Sequence, residues 1–425
     1  MISSLNPDRT SFLLVDSKMV IYNFLFLGDI LIVNCDLHIH SRFAGGTSKY
    51  MNIENVLKYG KLKGLHIVGT GDCLHPKHLQ EIEKYKDSNL ILTVEIEDKD
   101  RVHHLVLLPS ISKAYELREK LKRYSNNIDS EGRPKVVLRG GELLEIVRET
   151  GGLIGPAHAF TPYTSLYKSF DSIYQCYERK PDFVELGLSA DTDMGDMVQE
   201  LRDIPFLSNS DAHSYYPYRL GREFNQFKVR SIGDLEENFE EIKKSIKHNK
   251  IVANYGLDPA LGKYHLTACS KCYLRYRIED AIKLNYRCAK CGGVIKKGVY
   301  DRTLELSKDK KIIHPEFRPP YYKIVSLSQI ISLSIGKSID SKAVENLWKR
   351  YVELFGNEIN VLIKEDISNL IKVHEKVGRT IEMFRKNKIY YYPGGGGEYG
   401  RILKTPPKIR WYKPVTTLDS WLEPK

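Results

Sequence analysis

The chain has 425 residues, of which 42% are hydrophobic and 28% are charged. This length exceeds one ordinary core, so we expect two or three globular domains. Because no run of about 18 uncharged apolar residues occurs, we expect no membrane span and a cytoplasmic protein. The formal net charge is +11, and residues 263–323 carry most of it, with 15 Lys and Arg against 6 Asp and Glu. A segment of this charge favours an anionic partner.

Residues 1–33 are predicted to be an N-terminal extension, because they show no repeating pattern. The apolar stretch at 20–33 lacks a cationic start and a small-residue cleavage site, so we predict no signal peptide. The extension is either a strand and turn packed on the main domain or sequence ahead of the true start. We assign it no function.

The first chemical signal follows a strand-like apolar run at 28–33. His38 and His40 are two residues apart, so an extended backbone points both imidazoles to one face. Imidazole binds zinc, iron, copper and nickel, and a same-face pair can therefore be half of a metal site. Surface histidines also produce His-x-His by chance, so this interpretation depends on further ligands at later strand ends.

Residues 34–256 alternate strand-like runs with helix-like stretches, which predicts parallel βα units. In a β/α barrel the C-terminal strand ends form the active face. The metal-competent side chains expected on that face are His38, His40, Asp72, Glu95, His104, His158, Asp211 and His213. They are too many for one ion, although a single strand-end Asp or His more often caps a helix. The alternation at 105–107 leaves His103 as an alternative to His104.

The motifs Asp-Leu-His-Ile-His-Ser at 36–41, Pro-Ala-His at 156–158 and Ser-Asp-Ala-His at 210–213 resemble the PHP family (polymerase and histidinol phosphatase). The resemblance implies a distorted seven-stranded β/α barrel and up to three metal ions that hydrolyse phosphoester bonds. Carried over, the eight residues above are the ligands of zinc, manganese or magnesium. The family's second motif has Thr-Asp-His, whereas this chain has Thr-Gly-Asp-Cys at 70–73, so His75 is an alternative to Asp72.

Two acidic residues and two arginines have predicted roles in the chemistry. Divalent ions about 3.5–4 Å apart lower the pKa of a bridging water and hold the attacking and leaving oxygens. Asp211 or Glu95 is expected to bridge the ions and orient the nucleophile, so both are candidate catalytic residues. Arg42 and Arg222 are candidates to bind a phosphate by charge-assisted hydrogen bonds. Alternatively, both are solvated surface arginines.

Residues 257–323 are predicted to be a basic domain around one structural metal. Two Cys-x2-Cys pairs, separated by fifteen residues, have the spacing of a closed tetrahedral zinc site. The four thiols belong to Cys269, Cys272, Cys288 and Cys291. Tyr273, Arg275 and Arg277 follow the first pair, and cations interleaved with aromatics can neutralise phosphates and stack on unpaired bases. A solubilising basic face would explain the cations but not the tyrosines.

Residues 324–425 are predicted to be a helical DNA-binding domain, because 326–333, 342–355 and 367–387 have helical spacing. The four glycines at 394–397 are either a backbone surface for a phosphate or a flexible linker. A PHP-like barrel, then Gly-Leu-Asp-Pro-x-Leu-Gly-Lys-Tyr-His-Leu-Thr-x-Cys leading into a zinc ribbon, then helices and the glycines, is similar to the archaeal endonuclease Q family.

This second resemblance implies a metal-dependent DNA repair endonuclease. It would nick double-stranded DNA 5′ of deaminated bases (hypoxanthine, uracil, xanthine) or abasic sites, leave 3′-hydroxyl and 5′-phosphate ends, and work at the nucleoid. One alternative is a PHP-type small-molecule phosphoesterase, which has no obvious use for the basic segment. The other is a non-catalytic DNA-binding adaptor, which does not require the complete ligand set.

The C-terminal tail carries one further prediction. Leu418, Trp421 and Leu422 have the i, i+3, i+4 spacing of one apolar face on a helical turn. They resemble the peptide by which archaeal repair enzymes bind the sliding clamp, with Val415 where Gln is usual. The alternative is that Trp421 packs back on the helical domain.

Overall fold

The computed structural model describes residues 30–414. The predicted N-terminal extension lies almost wholly outside these residues, and the predicted clamp-binding residues Leu418, Trp421 and Leu422 lie outside them. No helix in the described part of the chain is long and apolar enough to cross a bilayer.

Short strands and mostly short helices alternate along this part of the chain. The strands are β1 (Leu31–Asp36), β2 (Ile67–Gly69), β3 (Leu90–Glu97), β4 (His103–Leu108), β5 (Leu153–Pro156), β6 (Val184–Glu185), β7 (Phe206–Leu207), β8 (Phe224–Val229), β9 (Ile251–Gly256), β10 (Ala268–Cys269), β11 (Ile295–Lys296), β12 (Tyr321–Lys323), β13 (Tyr390–Tyr392) and β14 (Arg401–Leu403). The helices are α1 (Ile53–Lys63), α2 (Pro76–Ile82), α3 (Ile111–Lys122), α4 (Gly140–Glu149), α5 (Leu166–Ser169), α6 (Ile173–Tyr177), α7 (Thr192–Met197), α8 (Leu235–Lys247), α9 (Ile278–Lys283), α10 (Val299–Leu306), α11 (Leu327–Ile335), α12 (Lys342–Phe355), α13 (Ile367–Val373) and α14 (Glu375–Arg385).

The main sheet has eight strands in the order β12-β9-β8-β1-β2-β3-β4-β5, and a separate β6-β7 ladder lies beside β5. The predicted seven-stranded barrel is therefore wrong in its strand count. The predicted parallel pattern holds for the pairs β1-β2, β2-β3 and β6-β7, whereas the pairs β3-β4, β4-β5, β1-β8 and β8-β9 are antiparallel. The connection from β3 to β4 spans only residues 98–102, which is too short for the crossover that parallel strands require.

The two faces of the central strands contact different apolar layers. On β4, Leu105 and Leu107 pack inside the curled sheet with Val33 of β1 and with α8. Val106 and Leu108 pack in the layer that contains the outer helices. Because side chains alternate along a strand, residues of equal parity on β3 and β4 share a face. The odd-numbered residues of both strands therefore point into the interior.

The cysteine-rich segment forms a small module with its own core. The hairpin of β10 and β11 and helix α9 enclose Tyr276, Ala281 and Ile295. The chain then returns to the main sheet, because β12 pairs in parallel with β9.

The glycine segment 394–397 packs on the cysteine module rather than forming a linker. A Cβ on Gly396, whose φ is 68°, would lie 2.3 Å from the carbonyl oxygen of Cys269.

The C-terminal helices α11 to α14 form a helical module against the sheet domain. Ser326 begins α11 with a capping box that includes Gln329. Trp348 and Tyr351 on α12 are buried in its core. A buried ion pair joins the module to the sheet domain, because Lys63 Nζ at the end of α1 lies 2.6 Å from Glu358 Oε1.

Candidate metal centre

Three polar side-chain atoms meet at the end of β1. The Nε2 atoms of His38 and His40 lie 3.7 and 3.3 Å from Asp211 Oδ1. All three atoms are buried, and none has a hydrogen-bond partner within residues 30–414. Buried polar atoms are normally satisfied, so lone pairs converging without a donor leave a place that suits a divalent cation.

Two carboxylates orient the imidazoles from behind. His38 Nδ1 donates to Glu185 at 2.9 Å, and His40 Nδ1 donates to Asp72 at 3.0 Å. A carboxylate on the far nitrogen fixes the tautomer and leaves Nε2 free for a metal. The sequence prediction assigned no role to Glu185. It made Asp72 a ligand, but the oxygens of Asp72 are taken by His40 and by the backbone N and Oγ of Ser41.

His75, the alternative to Asp72, is not part of this cluster. Its ring stacks on Phe43 with centroids 4.1 Å apart. The structure therefore brings neither residue of the second motif into the metal-competent groups.

A second group of donors surrounds Glu95. Glu95 Oε1 lies 2.8 Å from His103 Nδ1 and 2.9 Å from His158 Nε2. Its other oxygen, Oε2, lies 3.3 Å from His40 Nε2 and 3.0 Å from the guanidinium of Arg133. The carboxylate therefore stands between two groups, one of His38, His40 and Asp211 and the other of His103 and His158. This position would let Glu95 offer one oxygen to an ion in either group.

The prediction of His104 in the cluster is wrong, and its neighbour His103 takes that place. His103 has the same parity as Leu105 and faces the interior, as Glu95 does on β3. His104 faces the outer helices, where its Nδ1 lies 2.6 Å from the Tyr177 hydroxyl and its Nε2 3.0 Å from Asp98 Oδ2. The sequence did not decide between them because β4 is buried on both faces.

His213 stands at the rim of the centre. Its ring centroid is 4.4 Å from that of His40, and its Nδ1 donates to the carbonyl of Asp211 at 3.0 Å. Asp211 has a φ of 47°, in the left-handed region. This strained turn places the Asp211 carboxylate and the His213 ring on the same side of the cluster.

Paired charges decide the protonation of the cluster. Burial lowers the pKa of His38, but the Glu185 carboxylate outweighs that effect and raises it to about 9. Burial raises the pKa of Glu95, but His103 and the neighbouring imidazoles hold it well below its usual range. Burial also raises the pKa of Asp211, but His40 and the neighbouring imidazoles together outweigh that effect and lower it. These shifts favour the anionic form of Glu95 and Asp211, which is the form that binds a divalent cation.

The predicted phosphate-binding arginines have different surroundings. Arg42 is exposed and is paired with Glu81 at 2.8 Å. Arg222 is half-buried, and its Nε donates to the carbonyl of Ser210 at 3.0 Å, one residue from Asp211. Arg133, which the sequence analysis missed, contacts Glu95 directly. Arg133 therefore contacts a carboxylate of the site, and Arg222 contacts the backbone next to Asp211.

The four cysteines converge as predicted. The Sγ atoms of Cys269 and Cys291 are 3.5 Å apart, and those of Cys272 and Cys288 are 3.6 Å apart. Four thiolates around a tetrahedral ion with bonds of about 2.3 Å have S···S distances of about 3.8 Å, so the geometry fits one ion. Burial raises the pKa of Cys288, but hydrogen bonds from the Tyr276 hydroxyl and from the backbone N–H groups of Cys291 and Lys290 together outweigh it and lower the pKa to about 6, which favours a thiolate.

The three residues predicted to bind DNA beside the cysteines do not share one surface. Tyr273 and Arg277 are exposed. Arg275 is buried and holds the module together: its guanidinium donates to the carbonyls of Tyr273 and Pro393 and to Glu398 Oε2 at 3.0 Å. The prediction of Arg275 as a DNA contact is therefore corrected to a structural role.

Comparisons with known proteins agree with this architecture. A family model described as the MJ0043 C-terminal domain matches residues 326–388, which include α11 to α14. The chain is 35% identical to the uncharacterized protein MJ0043 of Methanocaldococcus jannaschii, over 92% of this chain and 100% of that protein.

Two solved structures are more similar in sequence. One is the lesion-specific endonuclease PfuEndoQ from Pyrococcus furiosus, with 50% identity and a TM-score of 0.83 over 87% of this chain and 95% of that chain. The other is an endonuclease Q in complex with a 27-mer duplex substrate that has an abasic lesion at the active site, with 50% identity and a TM-score of 0.82 over 87% and 96% of the two chains. By this identity and coverage, the chain belongs to the endonuclease Q family.

Proposed function

We propose that the protein is a metal-dependent DNA repair endonuclease that nicks the phosphodiester 5′ of a deaminated base or an abasic site, leaving 3′-hydroxyl and 5′-phosphate ends. The observation that carries this proposal is the Glu95 carboxylate between two groups of metal-competent donors. The similarity to an endonuclease Q with an abasic duplex supports the substrate class. A protein with this substrate works on chromosomal DNA, at the nucleoid of the cytoplasm.

At the proposed centre, some residues would bind the ions, some position the imidazoles, and some contact the phosphate. His38, His40 and Asp211 would hold one divalent ion and His103 and His158 another, with Glu95 shared. Such ions supply an acidified water and neutralise charge on a phosphate. Glu185 and Asp72 keep the imidazoles in position, and the half-buried Arg133 and Arg222 offer donors to phosphate oxygens from the edges of the site.

The metals are proposed from ligand type. Four thiolates in tetrahedral spacing favour zinc, and a site without an open position has a structural role. The catalytic groups combine imidazole with carboxylate, which is compatible with zinc or manganese; magnesium prefers oxygen ligands.

A cleft beside the second donor group is the proposed pocket for the damaged nucleotide. It measures about 340 Å³ and lies between the loop after β5 and the cysteine module. His158 Nδ1 bonds to Thr161 in that loop, so the cleft begins next to the metal centre. Tyr163 and Tyr264 offer aromatic faces, and Lys168 and Lys296 offer cations. An extrahelical nucleotide needs both kinds of contact.

A nicking assay tests the proposal. Duplexes containing deoxyinosine, deoxyuridine, an abasic site or no lesion are incubated with metal, and product ends are checked by ligation and by polymerase extension. Cleavage 5′ of the lesion, with the intact duplex untouched, is expected. Hydrolysis of small phosphate esters without nicking would support the phosphoesterase alternative, and binding without either reaction would support the adaptor.

The clamp-binding tail remains a separate proposal that rests on the sequence. A peptide covering residues 412–425 should bind the cognate sliding clamp, and Trp421→Ala with Leu422→Ala should remove that binding. Retained binding by the double variant would contradict it.

A further inference from the structure

A ladder of tyrosines follows His213 at the rim of the metal centre. Tyr215, Tyr216 and Tyr218 follow His213, and Tyr50 and Tyr59 join them from the segment before and within α1. Tyr59 packs on Tyr215 with ring centroids 4.6 Å apart, and Tyr216 stacks on Tyr215 at 4.9 Å. Tyr218 is parallel to Tyr216 within 6°, with centroids 5.7 Å apart. We call these five residues the tyrosine ladder.

Two members of the ladder present large exposed areas. Tyr50 is 52% exposed and Tyr216 is 47% exposed, whereas Tyr215 is partly buried between them. The backbone N of Ser48 donates to the carbonyl of His213 at 2.9 Å, which ties the Tyr50 segment to the rim of the metal centre. Core packing therefore accounts for Tyr215 but not for its exposed neighbours.

Cations border the ladder. Lys49 Nζ lies 5.1 Å from the ring centroid of Tyr50, Lys58 Nζ 5.9 Å from that of Tyr59, and the Arg219 guanidinium 5.6 Å from that of Tyr218. None of the three cations has an ion-pair partner among residues 30–414. Free positive charge beside aromatic faces matches a nucleic-acid strand, which offers phosphates and π-faces together.

The helical module holds this loop in place. Lys63 Nζ donates to the carbonyl of Pro217 at 2.7 Å while it is paired with Glu358. The hydroxyl of Tyr218 donates to Asp340, which lies just before α12. Glu358 also accepts from the indole of Trp348 at 2.6 Å. Because the loop is fixed at Pro217 and Tyr218, the neighbouring Tyr216 ring loses little conformational entropy on binding.

We propose that Tyr50 and Tyr216 form a stacking platform for an unpaired nucleobase of the DNA strand whose phosphate lies at the metal centre, with Lys49, Lys58 and Arg219 contacting the adjoining backbone. The proposal rests on the function proposed above, because it takes DNA as the substrate. It assigns to the helical module the role of holding the platform beside the catalytic groups.

The test measures binding of an unmodified oligodeoxythymidylate, and of a strand with one 2-aminopurine, by fluorescence. Tyr216→Ala should weaken binding about 5- to 150-fold, the range for losing one stacked base. The slope of log K against log salt should stay unchanged, because no phosphate contact is lost. Tyr216→Phe should bind within twofold of the wild type, and 2-aminopurine quenched by the wild type should stay bright with Tyr216→Ala.

Tyr174→Ala is the matched control, since Tyr174 is also 47% exposed but lies on α6, outside the ladder. Wild-type affinity of Tyr216→Ala, an equal loss with Tyr216→Phe, or a changed salt slope overturns the proposal. If thermal melting shows that Tyr216→Ala is unfolded, Tyr50→Ala decides by the same criteria. Single-strand binding requires neither a lesion nor cleavage, so failure of the nicking assay and failure of the platform are separate results.

Discussion

Glu185→Gln is the substitution that tests the metal centre most directly, because it changes one charge and almost no volume. Glu185 is completely buried and accepts three hydrogen bonds: from His38 Nδ1 at 2.9 Å, from the backbone N of His158 at 2.8 Å and from Asn209 Nδ2 at 2.8 Å. A glutamine keeps one acceptor oxygen but turns an NH₂ group toward at least one of these donors. The substitution therefore acts on both donor groups of the centre.

The expected loss has two parts. Removing the carboxylate behind a metal-binding histidine typically lowers metal affinity about 10- to 100-fold, or about 1.4–2.7 kcal/mol. A buried donor left without an acceptor also costs about 1–3 kcal/mol of folding stability. We expect metal binding to weaken by one to two orders of magnitude, and nicking to fall accordingly at limiting metal.

The assay titrates nicking of a lesion duplex against free metal concentration, with bound metal measured after equilibrium dialysis. Excess metal should restore most of the rate, because the groups in contact with the substrate are unchanged. Glu223→Gln is the matched control: Glu223 is equally buried, but burial raises its pKa well above the usual range, so a neutral glutamine resembles its native form. It should leave metal affinity unchanged.

Two results would refute this reasoning. One is a Glu185→Gln variant with wild-type metal affinity and a lost rate, which would mean that Glu185 does not act through His38. The other is an equal loss of metal affinity in the Glu223 control, which would indicate a general disturbance of the buried interior.

Three further predictions concern the other parts of the molecule. Asp211→Asn should abolish nicking and leave DNA binding within a few-fold; unchanged cleavage at equal metal content would contradict the assignment. His103→Gln should lower bound metal and activity, whereas His104→Gln should keep the metal and lower only the melting temperature, so the reverse outcome would overturn the assignment of strand faces. Replacing Cys269 and Cys272 by Ser should unfold the cysteine module and weaken DNA binding, measured by hydrogen exchange and salt-dependent affinity; wild-type salt dependence in the variant would exclude the module as a DNA surface.

Most of the cluster could be predicted from the sequence because its residues follow apolar runs of strand length. The end of such a run in the sequence is also the end of a strand in the fold. His38, His40, Glu95, His158 and Asp211 all meet in the structure as that pattern implied. To choose between His103 and His104, one has to know which residues of β4 face the interior, and β4 is buried on both faces. Hydrophobic alternation carries no information in that case.

Other errors arose from contacts that only tertiary structure creates. Arg133 reaches Glu95 from the loop between α3 and α4, which has no periodic pattern. Arg275 has the sequence context of an exposed cation, yet Tyr392 and the carbonyl of Pro393, more than a hundred residues later, enclose it. The count of seven strands came from the resemblance to the PHP family. The eight-stranded main sheet includes β12, a three-residue strand from outside residues 34–256 that has no recognisable pattern.

The two modules contact different loops of one catalytic centre. The loop that follows His158 reaches the cysteine module, where the hydroxyls of Tyr163 and Tyr264 are 3.3 Å apart. The loop that follows His213 reaches the helical module through Tyr218 and Asp340. Each module thus supports one ligand-bearing loop. Under the proposed function, the two modules would position a long DNA substrate beside the metal-competent groups, and this would explain why the PHP-like domain is joined to both.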